Sequence, residues 1–437
     1  MKNIIAIIIL ISFTINGQTW KSYNSDNSGL PDNNVKSIAI SHDGTVWFAT
    51  ANGLASFKDN NWKVFTTTDG LSINILNMVS FIPSFSSTLW IASFAGANIL
   101  DFDSNNDITG IKYISKANDN IVSDTVTAID VDGYSSNWIG TDKGLSVITN
   151  SGVYNFTEDN GFENPKVNTL KSLSDNWVHV GTDGDGVNRL KYNGVDGISS
   201  ASKIITTWSG IASDTILTVY VTDDTLKWYG TPQGVSTFHG ENTKDINNWW
   251  RYNTFTSEII DNYVRSIIRD NSGNMWFGTR KGLSKLSADK LSWESFTEEN
   301  GLISNNIFDI KVDNNNNLWI ATDKGVSYIS DLTSDVGIIQ PNEYKLKLEN
   351  YPNPFNPVTT IEYSIPAIKE GQTMSLQTVR LVIYDILGNR VATLINKQQY
   401  SGTYKVIWEA TEYSSGIYYY RLTSGQLCMT RKMLLLK

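Results

Sequence analysis

Few residues of this 437-residue chain are of the kinds that carry out chemistry. It has three histidines, His42, His179 and His239, and one cysteine, Cys428, which lies near none of them in sequence. A zinc cluster or a cysteine–histidine dyad therefore has almost nothing to build on. Carboxylates are more plentiful. In DFDSNNDITG, Asp101, Asp103, Asn105 and Asp107 alternate as calcium-loop ligands do, but the sixth position lacks glycine and Lys112 stands where a bidentate glutamate belongs. A solvated hairpin loop is the expected structure. Asp183 and Asp185 in GTDGDGVNRL are a pair that a glycosidase would use, yet acids in a glycine-rich turn are first of all turn formers. No catalytic residue, metal site or cofactor is assigned.

Any site must be carried by the elements around it, and these repeat. NMWFGTRKGLSKL (274–286) returns as NLWIATDKGVSYI (317–329) and SNWIGTDKGLSVI (136–148). Thr50, Ser93, Thr141, Thr182, Thr231, Thr279 and Thr322 follow the motif at intervals of 43, 48, 41, 49, 48 and 43 residues. That period suits four strands per propeller blade, and seven copies make a ring. Three residues before each anchor stands a tryptophan, except that His179 replaces it in the fourth copy. The substituted histidine is read as a core residue. Each unit predicts an alternating apolar strand, an Asp/Asn/Gly turn, the tryptophan strand, a Thr-x-x-Gly reversal and an aromatic fourth strand. The last unit lacks its fourth strand, whereas the chain near Thr19–Tyr23 has one to spare, so this segment is expected to close the ring.

Forty per cent hydrophobic residues and a net charge of -9 suit a folded protein of more than one domain. The fold class expected is all-β: a seven-bladed β-propeller over 18–334, a linker over 335–349 and a small β-sandwich over 350–437. Lys2 with the apolar run 4–13 and Gly17 predicts a signal peptide over 1–17, and no later run is long enough to be a transmembrane helix.

Propeller ligands commonly sit where the loops after the second strand converge. Asp142, Lys143, Asp183, Asp185, Gln233, Arg280, Lys281, Asp323 and Lys324 are therefore the candidate ligand-binding residues, with Phe94 the one aromatic among them. Their mixed signs argue against nucleic acid as a partner. Trp249 and Trp250, adjacent on one strand, are read as core rather than as a sugar platform.

The units at 270–286 and 293–329 resemble two-component regulator propeller repeats, known from the extracytoplasmic sensor regions of hybrid histidine kinases. The chain has no kinase segment, so the signalling role is not carried over. The tail, with a charge of +4 from residue 341 onward against -13 before it, resembles the type A C-terminal sorting domain of type IX secretion in Bacteroidota. The matching residues include Pro352, Asn353, Pro354, Gly388, Gly402, Tyr404, Gly416, Tyr418 and Lys432. The resemblance implies the type IX secretion machinery as a partner and a secreted or outer-membrane surface location in a Gram-negative bacterium. A binding or scaffold propeller for a glycan, peptide or protein is the leading expectation. A polysaccharide hydrolase or lyase and an orphan sensor propeller are the alternatives.

Overall fold

The computed structural model describes residues 12–15, 18–81, 88–103, 106–132, 135–160, 162, 164–173, 176–192, 198–206, 209–222, 226–240, 242–288, 290, 292–330, 332, 347–365, 376–400, 402–424 and 427–437. Most of the expected signal peptide, Asn105 of the acidic loop and most of the linker lie outside the described residues. The chain divides into two compact units, residues 1–251 with 259–335, and residues 252–258 with 336–437.

In the first unit each repeat becomes an antiparallel sheet of four hairpin-linked strands, as in Val35–Ile40, Val46–Thr50, Gly53–Lys58 and Asn61–Phe65. Six such sheets, and a seventh of five strands built on the last repeat, occur among the described residues of this unit. The first strand of each packs on the first strand of the next, and Ile307–Val312 of the last packs on Val35–Ile40 of the first. Both faces of the sheets are covered, which is why Trp47, Trp138, Trp228 and Trp276 are almost fully buried. Burying each indole contributes roughly 1.5–3 kcal/mol or more. In three repeats the indole N–H is satisfied by an aspartate six residues earlier: Trp138 by Asp132 at 2.9 Å, Trp276 by Asp270 at 2.8 Å and Trp319 by Asp313 at 3.1 Å. The same aspartates accept the amide N–H of Ser136, Asn274 and Asn317, so one carboxylate shapes the turn and also anchors the tryptophan.

The Thr-x-x-Gly reversals are built alike. Thr50, Thr141, Thr231, Thr279 and Thr322 are fully buried, and each Oγ1 donates to the glycine carbonyl three residues on, at 2.6–2.8 Å. Each also accepts the amide N–H two residues on. The glycine takes a positive φ, 119° at Gly53 and 129° at Gly325. A Cβ there would stand 2.8 Å from the Phe65 carbonyl oxygen in the first case and 2.2 Å from that of Tyr23 in the second.

Tyr23 belongs to Gln18–Tyr23, which pairs antiparallel with Gly325–Ser330, Thr19 opposite Ser330 and Tyr23 opposite Val326. The start of the chain thus supplies the fourth strand of the sheet built from its last repeat. Ser12–Ile15, within the expected signal peptide, pairs outside it as a fifth strand. Trp20 is 1% exposed and lies 5.5 Å from the Phe296 ring. It faces Gly301 as Trp62 faces Gly29 and Trp249 faces Gly210, each glycine leaving room for the indole.

The second unit has two sheets, Lys347–Tyr351, Val358–Ile365 and Gly402–Glu409 in one, and Arg390–Tyr400, Leu376–Tyr384, Gly416–Ser424 and Leu427–Leu435 in the other. Residues of both sheets, among them Ile361, Trp408, Tyr420 and Met433, enter one hydrophobic cluster. Asn353 grips the last strand, donating to the Lys432 carbonyl at 3.2 Å and accepting from the Leu434 amide at 2.9 Å. Thr359 donates to the Pro352 carbonyl, and the Phe355 ring after Pro354 packs 5.5 Å from Trp408. Tyr404 and Tyr418 each close a local turn by donating to the carbonyls of Tyr400 and Ser414. Gly388, with φ of 84°, ends the turn that Asp385 caps.

Removing residues 18–24 would expose the Gly325–Ser330 edge and forfeit the burial of Trp20. By analogy with large core truncations the loss is about 3–5 kcal/mol. Thermal unfolding of the chain lacking these residues should show a marked fall in melting temperature, and an unchanged midpoint would contradict this account of the last sheet.

Candidate functional site

The first strands of all seven sheets line one cavity of about 510 Å³, a channel bounded by the ring itself. How these strands begin decides what faces it. In six of them the pairing with the second strand slips after the first residue, so that Lys36, Asn77, Thr127, Asn168, Arg265 and Phe308 are unpaired bulge residues. A bulge re-aims its side chain out of the alternation of the strand. All six bulge residues line the channel. Four tie neighbouring sheets together, donating to a carbonyl at the start of the next sheet's first strand or just before it: Asn77 to Val126 at 2.9 Å, Thr127 to Val167 at 2.6 Å, Asn168 to Ile216 at 3.0 Å and Arg265 to Ile307 at 3.3 Å.

One residue further along, Asp309 joins three sheets. Its carboxylate accepts from Ser266 of the sheet before, at 3.1 Å, and from Ser37 and the Ile38 amide of the first sheet, at 3.2 and 3.0 Å. Lys311 neutralises it at 2.8 Å.

Lys36 and Phe308 make no hydrogen bond of this kind. The Lys36 ammonium lies 4.1 Å from the centre of the Phe308 ring, and the Arg265 guanidinium lies 4.9 Å from the same ring. Arg280, exposed in its reversal, stacks 3.3 Å over Tyr263, and Arg265 is 5.3 Å from that ring. Such cation–π contacts contribute about 0.5–1 kcal/mol at exposed sites and more when desolvated. Burial, then the charge of Arg265, holds Lys36 below the usual lysine range. Burial, then Arg280, acts on Arg265 in the same direction. Asp323 stands beside them. Burial pushes its carboxyl up, but hydrogen bonds from Asn306 at 3.0 Å and Ser304 at 2.6 Å outweigh this and hold it below the ordinary value.

Of the residues picked from sequence, Arg280 and Asp323 therefore meet at this channel mouth. Four of the others are held in ion pairs. Lys281 and Lys324 face Asp261 and Glu298. Asp183 pairs with Lys166 and Asp185 with Lys203, each at 2.9 Å, and Asp185 is 3% exposed, so each carboxylate is bound to its own lysine. Lys143 and Gln233 are exposed, and Asp142 keeps one buried oxygen without a hydrogen bond. Phe94 is exposed. Lys36, Arg265, Phe308 and Tyr263 were not among the sequence candidates. Aligning the repeats on the start of the first strand, rather than on the tryptophan, brings that position into view, with lysine, asparagine, threonine, arginine and phenylalanine among its occupants.

The acidic loop binds within the protein. Asp101 accepts from Thr88, Asp103 from the Asp107 amide, and Lys63 pairs with Asp107. His179 is 1% exposed, and its Nδ1 lies 3.0 Å from the Tyr229 hydroxyl with the rings parallel. Trp249 is buried, with its indole donating to the Thr243 carbonyl, and Trp250 is half-buried.

Two family models match the chain. Residues 349–436 match the secretion system C-terminal sorting domain, and residues 29–52, 258–281 and 301–324 match the two component regulator propeller. The chain carries regulator-propeller repeats and a secretion sorting tail. A histidine kinase P4 of Formosa agariphila is 26% identical over 138 residues, which is 30% of this chain and 10% of the kinase. Among solved structures, the extracellular domain of BT3049, assigned to a hybrid two component system of B. thetaiotaomicron, gives a TM-score of 0.60 at 15% identity. It aligns over 97% of this chain and 61% of its own. PorZ, an essential surface component of the type-IX secretion system of Porphyromonas gingivalis, gives 0.55 at 18% identity over 94% of this chain and 60% of its own. This chain thus spans about three fifths of either structure, and at these identities the likeness is one of fold. The sorting tail indicates secretion or surface attachment. Among the described residues no helix is long and apolar enough to cross a membrane.

Burial, then the charges of Arg189 and Lys227, holds the His179 pKa well below 6.5. Above that pH both folded and unfolded chains carry it neutral and it has no effect on stability. Below it the unfolded chain takes up a proton that the folded chain does not, so stability falls with acidification by up to about 1.4 kcal/mol per pH unit. His179→Phe should therefore lower the melting temperature at pH 7.5 but flatten its decline between pH 6.5 and 5, as scanning calorimetry of the two proteins would show. Parallel pH profiles would count against a buried neutral histidine.

Proposed function

We propose that the first unit is an exported binding module that recognises an extracellular glycan, peptide or protein through the loop face around the channel mouth, and that the tail directs its export. The observation that carries this reading is the cluster of Lys36, Arg265 and Arg280 on Phe308 and Tyr263. Lys36 and Arg265 are half-buried cations, which are costly unless something compensates them, and Lys36 ties no sheets together. Here aromatic rings hold the cations in place before any ligand arrives, the arrangement that lowers the ordering cost of binding. Asp183 and Asp185, each ion-paired to its own lysine, give the hydrolase alternative no support.

Glycan, peptide and surface-protein arrays probed with the full chain should give a specific signal that is lost when Lys36 and Arg265 are both replaced by methionine. Silence across all three arrays would overturn the reading. Deleting residues 350–437 should abolish surface display in the native cell while the propeller remains folded in the periplasm, as fractionation and limited proteolysis would report. Display that persists after the deletion would refute the sorting role.

A further inference from the structure

The proposed loop-face site is specific enough in its charges to name the chemistry of its ligand, on the premise that this face binds at all. We propose that Lys36, Arg265 and Arg280 form a subsite for the carboxylate of an acidic saccharide, a uronate, whose hydroxyls enter the channel. Three observations converge on it.

The rings are not a stacking platform. Phe308 has Lys36 at 4.1 Å and Arg265 at 4.9 Å, and Tyr263 has Arg280 at 3.3 Å, so the cations themselves occupy the aromatic surface. What the mouth offers a ligand is positive charge. Lys36 makes no hydrogen bond to a protein group among the described residues, and the bonds that Arg265 makes, to Asn306 at 2.8 Å and to the Ile307 carbonyl, both use Nη1. The opposite edge of the guanidinium remains for a planar acid, which such a fork binds in bidentate fashion.

The acids nearby are engaged elsewhere but still set a limit. Asp323 is held by Ser304 and Asn306, Asp261 lies 4.0 Å from Lys281, and Asp32 accepts the Asn34 amide. Asp323 and Asp32 offset part of the charge of Lys36, and Asp323 and Asp261 part of that of Arg265, yet burial and a neighbouring cation, Arg265 for Lys36 and Arg280 for Arg265, still hold both below their ordinary values. These acids also surround the mouth with negative charge, which disfavours a polyanion such as a nucleic acid and suits a single carboxylate.

The channel below is lined by polar groups, and its remaining charged residues are paired, Lys171 with Asp130 at 3.9 Å and Lys311 with Asp309 at 2.8 Å. Asn77 and Asn168 each donate one N–H to a carbonyl and keep an amide oxygen, and Ser80, Thr218 and Tyr220 add hydroxyls to the lining. Groups that both donate and accept match a hydroxyl-rich ligand. An acidic peptide brings carboxylates on flexible arms and few hydroxyls to meet them. A volume of about 510 Å³ is ample for one or two sugar rings.

Calorimetric titration of the full chain with trimers of galacturonic, glucuronic, mannuronic and guluronic acid tests the assignment. At least one should bind saturably, and its methyl ester should bind at least about 10-fold more weakly, the expected loss for a charge-assisted hydrogen bond. Lys36→Met and Arg265→Gln should weaken binding by at least about 10-fold each on the same basis, whereas Lys112→Gln, on an outer strand, should leave it unchanged. The ester comparison uses the unaltered protein, so a variant that fails to fold does not blunt the test. Equal affinity for acid and ester overturns the inference, as does preference for a hexaglutamate peptide or a neutral trimer, and each of these outcomes leaves the loop-face reading standing. If no uronate binds while another array ligand depends on Lys36, the inference alone falls. If nothing binds the loop face, both fall.

Discussion

The first unit depends on one hydroxyl used in the same way at the end of the second strands. In the Thr-x-x-Gly reversal the buried Oγ1 acts at once as donor to a carbonyl and as acceptor of an amide, so two backbone groups that cannot reach water are satisfied within four residues. That closure forces the glycine to positive φ and brings it against a fourth-strand carbonyl with no room for a Cβ. The aromatic outer strand is therefore seated by the turn as well as by its ladder. Ser93 does the same work with the Gly96 carbonyl at 2.9 Å, and Thr182 does it across one extra residue, with Gly186 at 3.0 Å.

A second regularity links one sheet to the next. Ser146, Ser236, Ser284 and Ser327 in the third strands each accept the amide N–H of the residue 24 positions earlier, in the loop arriving from the preceding sheet, all at 2.9 Å. In the first sheet the corresponding residues are Ala55 and Pro31, so the acceptor and the donor are missing together and nothing is left unsatisfied. Around the channel the same economy is relaxed. A bulge frees one side chain per strand from the packing rules, and that position holds lysine, asparagine, threonine, arginine or phenylalanine without disturbing the sheet behind it. Fold and recognition are thus written at neighbouring positions of the same strand.

This division explains what could be read from sequence. The tryptophans, the reversal and its glycine recur because each solves a packing or hydrogen-bond problem that every repeat shares, so the strands, their order and the supply of a strand by Thr19–Tyr23 were legible. His179 was legible as core for the same reason, since it occupies a tryptophan position. The candidate site was harder. Charged turn residues attract attention, yet Asp185 turned out to serve Lys203 and Asn188 within its own hairpin. Lys36, Arg265 and Phe308 sit inside apolar strands, where an alternating pattern gives no reason to single them out. A bulge changes the facing of a residue without changing the composition around it. Only Arg280 and Asp323, at the ends of reversals, were visible from both directions.

The shared last sheet also spans the sequence. Thr19 pairs with Ser330, 311 residues away, so the Gly325–Ser330 edge is covered only by the most distant pairing described in the unit. Bringing such distant segments together costs about 5 kcal/mol of chain entropy on a simple loop-closure scaling. That expense is met only once the intervening sheets have shortened the path. The last sheet is thus the one place where the unit's stability hangs on its longest-range contact, and a chain whose other sheets are formed still has an open edge there.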